Sequence, residues 1–413
     1  MAEQKRNLHL FDGFGVEMEY MIVSRKGLNV LPIADKLFKQ VTGEFVADVY
    51  RGAIAWSNEL VSHVIEIKTN GPAATLNGLD KPFHENIQEI NRLLAPFDAM
   101  LLPGGAHPWM DPYKETVIWP HENNDIYELY NRIFDCRGHG WSNLQSTHIN
   151  LPFQGDEEFA RLHAAIRVLL PIIPVLTASS PILDGKLSGF VDTRLETYRH
   201  NQEKVPSIAG KVVPEQLFTQ AEYDKQIFQR IRGDINSYDT DGILDQYFLN
   251  SRGAIARFDR GAIEIRIIDI QECPAADIAV LQVIVALLKE LVNETLCSFE
   301  EQKSWHEDDL AAIFLSVVKE GSNYTITNRQ YLKLFGMEQK AATAAKCWEH
   351  LVNMADKDQS NAIVRAIIAQ GNLSERMIKH LGQSFSHEAL LGLYEELAGC
   401  LENNTMFLPS AKR

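Results

Sequence analysis

The chain of 413 residues is 45% hydrophobic and 23% charged, which excludes a disordered or low-complexity protein and leaves room for a large core or two domains. Its formal net charge of −15 argues against a general nucleic-acid or anionic-membrane binder, because both recruit an excess of Lys and Arg. Five widely spaced cysteines form no Cys-x-x-Cys, so neither a disulfide framework nor a zinc site is indicated, and a reducing cytoplasm is the expected location.

In chain order, the first element is a strand. Phe14, Val16, Met18, Tyr20 and Ile22 alternate with Gly15, Glu17, Glu19, Met21 and Val23, so a period of two puts an apolar row on one face and both carboxylates on the other. Such a pair is either a solvated surface or a platform for a divalent cation. The residues before it lack an apolar core, and no stretch approaches 18 apolar residues, so no export or membrane signal is expected. Residues 33–41 predict a short helix. Residues 52–68 read as extended structure, closed by the turn signal Thr69-Asn-Gly-Pro72. Glu59 and Glu66 lie in this stretch at an odd separation, so one straight strand sends them to opposite faces; they share a site only if a turn, bulge or break falls between them.

Residues 79–97 carry a helical apolar stripe ended by Pro96. Residues 100–112 predict a short strand running into a loop dense in Pro and Gly. There Gly105 permits close backbone approach, and His107 with Trp109 forms either a recognition surface or a structural turn. A second polar-faced strand follows at 145–152, with Ser146, His148 and Asn150 on one side. A helix over 159–176, interrupted near Pro171 and Pro174, leads into a loop over 177–190 whose small residues suit packing under a ligand. Arg194 and Arg199 then offer guanidinium groups, either to clamp a carboxylate or phosphate or to pair with surface acids. A third such strand spans 257–269, with Ile263, Ile265 and Ile267 in one row and Glu264 and Arg266 in the other. From residue 275 helical periodicity dominates, at 281–296, 308–318, 341–354, 362–369 and 387–401, as a cover for the sheet or a homo-oligomer interface.

Three strands far apart in sequence, each with an acid, imidazole or guanidinium on one face, predict one sheet with a deliberate polar side. Carboxylates about 4 Å apart repel by about 4 kcal/mol at an effective dielectric near 20, and a cation resolves that conflict. Oxygen ligands from Glu17, Glu19, Glu59, Glu66 and Glu264 with one imidazole from His148 suit Mg2+ or Mn2+, in two or three sites. The sequence has neither a P-loop nor a Gly-x-Gly-x-x-Gly, so metals on a strand face would hold ATP phosphates in their place.

These motifs together resemble the glutamate-cysteine ligase type 2 family of carboxylate-amine ligases. The resemblance rests on Phe14-Gly-Val-Glu-Met-Glu-Tyr20, Glu59 with Glu66, Gly104-Gly-Ala-His-Pro108, His148, Ala178-Ser-Ser-Pro181 with Gly185 and Gly189 ahead of Arg194, and Glu264-Ile-Arg266. It implies an α+β fold with a glutamine synthetase-like curved antiparallel sheet forming a funnel. Residues 1–300 would be catalytic and 301–413 a helical part packed on them. It also implies that ATP and Mg2+ activate an acid, typically the γ-carboxylate of glutamate, as an acyl phosphate that an amine such as cysteine attacks. The six ligands named above would hold the metals, and Arg266 with Glu264 would act at phosphoryl transfer. Arg194, with His107, Asn150 and Arg199, would bind substrate. A guanidino phosphotransferase-like activity and a non-catalytic metal or nucleotide sensor are the alternatives.

Overall fold

The computed structural model describes residues 8–356 and 360–409. Its organising element is β1 (Gly15–Ser24), where alternation sends Val16, Met18, Tyr20 and Ile22 fully into the core and Glu17 and Glu19 to the opposite face. Around it stand β2 (Asp48–Arg51), β3 (Ile54–Asn58), β4 (Val64–Thr69), β5 (Ala99–Leu102), β6 (Ser146–Pro152), β9 (Ala254–Arg257) and β10 (Ala262–Asp269). Two small two-stranded sheets lie apart: β7 (Ile182–Leu183) with β8 (Lys186–Leu187), and β11 (Thr325–Ile326) with β12 (Ala342–Thr343).

The main sheet runs β2-β3-β4-β1-β6-β10-β9, every pairing antiparallel, with β5 also paired to β1. Register gathers the polar residues. Glu17 stands opposite Lys68 on one side and His148 on the other, Glu19 opposite Glu66, and Glu264 opposite Asn150.

Two stretches read as extended contain a turn. The stretch 52–68 divides into β3 and β4, joined by a turn that hydrogen-bonds to a neighbouring segment through Ser62 N to Val117 O at 2.8 Å and Trp119 N to Leu60 O at 2.9 Å. Glu59 follows the end of β3 while Glu66 pairs with Ser57, so the break that their odd separation requires is the hairpin turn itself. Likewise 257–269 turns at Gly261, whose φ of 66° suits glycine, before β10 begins. Within β10 the register against β6 slips between Ile265 and Ile268, one extra residue on the β10 side. This bulge buries Ile267 and Ile268 together, so simple alternation fails there.

Helices cover the apolar side. Helix Asp80–Leu94 lays Phe83, Ile87, Ile90 and Leu94 against the sheet, and helix Gly155–Leu169 stops where Pro171 and Pro174 forbid continuation. Helix Pro274–Val292 is apolar nearly all round and packs between these two and helices Ala344–Ala355 and Ala362–Gln370. The result is an α+β fold of antiparallel sheet and helix, as the sequence predicts. On the other face, the row that begins with Glu17 and Glu19 turns apolar at Met21 and Val23. These form a second core with Leu102, Met110 and the residues Tyr394 and Leu397 of helix His387–Asn403. The polar side of the sheet is therefore confined to one end. No helix among the described residues is long and apolar enough to cross a membrane.

Candidate active site

At the open end of the sheet lies a cleft of about 440 Å³, lined by Glu17, Glu19, Glu59, Glu66, His148, Glu264, Arg266 and Arg194 among others. The strands position the floor. His148 Nδ1 is 3.1 Å from Glu17 Oε2 and 3.7 Å from Glu264 Oε1, and its Nε2 is 3.8 Å from Glu19 Oε1. Ser146, one pleat along β6, donates its backbone N–H at 2.7 Å and its hydroxyl at 2.8 Å to Glu19 Oε2. Asn150, one pleat the other way, donates to Glu17 Oε1 at 3.1 Å. The polar row of β6 thus holds both glutamates of β1 in place.

Glu17, His148 and Glu264 each offer a ligand atom, and the three atoms lie within 4.8 Å of one another. Their electrostatics fit a hard divalent cation. Burial, reinforced by the Glu264 charge, raises Glu17 to about 7 against the pull of Lys68 and Arg266. Burial and Glu17 raise Glu66 to about 7, and burial with Glu19 and Glu66 lifts Glu59 well above the carboxylate range. Burial alone would raise Glu264 too, but the guanidinium charges around it, Arg266 foremost, outweigh it and hold it ionised. Burial lowers His148, leaving a neutral imidazole able to ligate. Carboxylates crowded enough to resist ionisation, with a neutral imidazole among them, form a donor set that a bound dication would satisfy.

Arg266 closes this end, its Nε 3.1 Å from Glu264 Oε1; its own pKa is raised because Tyr198 and the glutamates outweigh the cost of burial. Beside it, Arg194 donates from Nη2 to the Arg266 carbonyl at 2.8 Å and from Nη1 to Asp269 Oδ1 at 3.4 Å. Asp269 is fully buried, its Oδ2 accepting from Ser179 N at 2.9 Å and Ser180 Oγ at 2.7 Å. A Cβ on Gly105 would stand 2.6 Å from that same Oδ2. The close approach foreseen for Gly105, and the small residues of 177–190, therefore serve the carboxylate that anchors Arg194.

The other expected substrate contacts lie elsewhere. His107 is buried behind the site, its Nε2 2.7 Å from the Leu28 carbonyl, and does not line the cleft. Arg199, just past helix Thr193–Tyr198, makes a two-pronged pair with Glu196 at 2.8 Å, also outside the cleft. Asn150 reaches the cleft only through Glu17. It lines an adjoining cavity of about 560 Å³, walled by Gly13, Gly15 and Gly261, which shares Glu17, Lys68 and Arg260 with the first.

Several lining residues escape the motif reading. Lys68, 3.0 Å from Glu66 Oε1, follows it by two on β4 and was within reach of period-two reasoning. Trp141, Gln202, Tyr247 and Phe248 come from one-turn helices and turns that carry no periodicity of their own, whereas Tyr130 sits on the apolar stripe of helix Asn124–Phe134.

The profile of glutamate-cysteine ligase family 2 matches residues 13–396. An uncharacterized protein of Archaeoglobus fulgidus is 33% identical over 400 residues, covering 95% of this chain and 100% of that protein. A Cronobacter sakazakii protein named "Putative glutamate--cysteine ligase 2" is 23% identical over 184 residues, covering 45% of this chain and 46% of that protein, so the match spans about half of the named relative. Among solved structures, a glutamate--cysteine ligase of Francisella tularensis in complex with AMP superposes with a TM-score of 0.58 at 12% identity, covering 94% of this chain and 88% of that one.

Proposed function

We infer the activity from one premise: the chain belongs to glutamate-cysteine ligase family 2, and is a ligase of the glutamate-cysteine ligase type. We propose that it joins a carboxylic acid to an amine at the expense of ATP, with Mg2+ or Mn2+. The observation that carries this reading is convergence. Glu17, Glu19, Glu59, Glu66, His148, Glu264 and Arg266, drawn from separate strands and a turn, line a single cleft.

Glu17, His148 and Glu264 would hold one cation and Glu19, Glu59 and Glu66 a second, with Glu17 and Glu19 able to serve either. Such ions neutralise phosphate charge when bound. Arg266, fixed by Glu264, faces the charge that spreads over the phosphoryl oxygens during transfer. Arg194, fixed by Asp269, would orient the carboxylate of the acid. The acid oxygen attacks the γ-phosphorus and ADP leaves. The amine nitrogen then attacks the acyl carbon, phosphate leaves, and the nitrogen loses a proton, giving an amide. Glutamate is the proposed acid. The same reading takes the sheet as a funnel, residues 1–300 as the catalytic unit with 301–413 packed on it, and the cytoplasm as the location.

The test is ADP release from ATP across glutamate, other amino acids and a panel of amines, with mass spectrometry of the product and a metal-free control. The expected result is Mg2+-dependent ADP release that needs both an acid and an amine. ATP turnover indifferent to every acid, or phosphoryl transfer to a guanidine without amide formation, would overturn it.

A further inference from the structure

We propose that the amine accepted by this ligase is a primary amine with an aromatic or hydrocarbon body, seated against Tyr130, Trp141 and Phe248. The inference rests on the ligase reading and names one of its substrates by class.

The cleft has two unlike halves. Its floor is the charged strand face. The facing wall is built of rings contributed by helices Asn124–Phe134, His139–Ser142 and Gln246–Leu249. Tyr130 is its centre, buried to 2% exposure, with the Trp141 ring edge-on at 4.9 Å and 87° and the Phe248 ring at 5.1 Å and 69°. Phe248 nonetheless keeps 42% of its surface exposed. A phenyl group left open on a concave wall, beside two other rings, offers a face to a ligand, whereas a scattered surface phenylalanine does not.

The polar groups of this wall are few and unfinished. Trp141 Nε1 and Gln202 Oε1 are both buried without a hydrogen-bond partner, although Ser251 Oγ fixes the other end of the Gln202 amide at 3.0 Å. A buried donor and a buried acceptor left open cost free energy until a ligand supplies their complements. A primary amine supplies the donor that Gln202 lacks.

Charge argues against a zwitterionic acceptor. A second amino acid would bring a second carboxylate, and three of the four guanidinium groups that line the cleft already hold partners: Arg194 with Asp269 and the Arg266 carbonyl, Arg266 with Glu264, Arg257 with both oxygens of Asp259 at 3.1 and 2.8 Å; the fourth, Arg260, is shared with the glycine-walled cavity. Arg194 and Arg257 also lie over the Tyr198 and Tyr247 rings, at 5.9 and 5.5 Å, so those two faces are occupied. The ring left open is Phe248, with the half-buried Trp141 beside it and Tyr130 behind both. A nucleoside has room elsewhere, in the glycine-walled cavity that shares Lys68 and Arg260 with the cleft and so has cations at hand for phosphates.

The experiment is isothermal titration of phenethylamine into the full chain with Mg2+, glutamate and a non-hydrolysable ATP analogue, alongside kcat/KM for amide formation with phenethylamine and with cysteine. Phenethylamine should be preferred in kcat/KM by about tenfold or more. Phe248→Ala, at an exposed position that keeps the fold, should weaken phenethylamine about tenfold, Phe248→Leu should restore part of the loss, and the affinity for the ATP analogue should not change. Preference for cysteine, or phenethylamine binding that ignores Phe248→Ala, overturns the inference. Loss of analogue binding in Phe248→Ala also overturns it, because the wall would then seat the nucleobase. If phenethylamine binds in a Phe248-dependent way while no acid yields an amide, the ligase reading fails and the aromatic amine site remains.

Discussion

Glu264 and Arg266 stand one pleat apart on β10, and the bulge that follows lets the Arg266 backbone accept from Arg194 while its side chain meets Glu264. Each guanidinium is held by a carboxylate, so neither has to find its place when charge develops on a transferring group. Arg266→Ala should lower amide-forming turnover by about 10³-fold, the lower end of what a cation at a transferring phosphoryl group contributes. Glu264→Gln keeps volume and removes one ligand charge, and should cut turnover steeply while leaving circular dichroism and the melting temperature near those of the parent. Steady-state ADP release checks both, and near-normal release in the double variant would remove these residues from the chemistry. The floor residues were legible because chemistry on a strand repeats every second position. His107 and Arg199 lie outside the cleft, and their sequence context gave no sign of it: a histidine in a stiff loop and an arginine at the end of a short helix do not reveal which way they face, and here each meets a neighbour that satisfies it.

At the level of elements, the segments containing Gly105 and Ser179-Ser180 close on Asp269 from two sides, and the carboxylate at their meeting point carries Arg194. Gly105→Ala would drive a methyl group to within 2.6 Å of an oxygen fixed by two donors, Ser179 N and Ser180 Oγ. The expected cost is about 1–3 kcal/mol of stability, read as a lower melting temperature, with weaker binding of the acid as Arg194 shifts. An unchanged melting temperature would mean that Asp269 yields freely. Most strands and the long helices could be read from periodicity, including the break at Pro171 and Pro174. The hairpin within 52–68 could not, because both of its halves are apolar and β-prone and its turn is set by hydrogen bonds to residues 117 and 119; within 257–269 the charged run Arg257-Phe-Asp-Arg-Gly261 did mark the turn that a single strand passes over. Helix Asn124–Phe134, which supplies Tyr127 and Tyr130 to the cleft, carries its stripe openly in Ile126, Leu129, Tyr130, Ile133 and Phe134, and period-3.6 reasoning could have found it.

Across the whole molecule, buried titratable groups set the dependence on pH. His63, His107 and His163 are neutral in the fold; burial lowers them to about 4, about 4 and about 3, whereas the unfolded chain titrates near 6.5. Their folded values are depressed, so the stability they contribute is present above pH 6.5 and falls away as pH drops toward 4. The raised carboxylates run the other way: Glu17 and Glu66, near 7 in the fold, take up protons there more readily than in the unfolded chain, which favours the metal-free fold as pH falls below 7. Thermal melting should therefore show Mg2+ raising the melting temperature most above pH 7 and little at pH 5, with a steep loss of stability below that. A Mg2+ effect independent of pH would count against carboxylate ligands. Glu17 adds a further property, because its side chain is a party wall between the cleft and the glycine-lined cavity. A ligand that fixes this carboxylate from one chamber alters what a ligand in the other chamber meets. Linkage makes that influence mutual: whatever factor one occupant applies to its neighbour's dissociation constant, the neighbour returns in full. Two substrates that never touch can thus sense each other's arrival through a single glutamate, with no domain needing to swing.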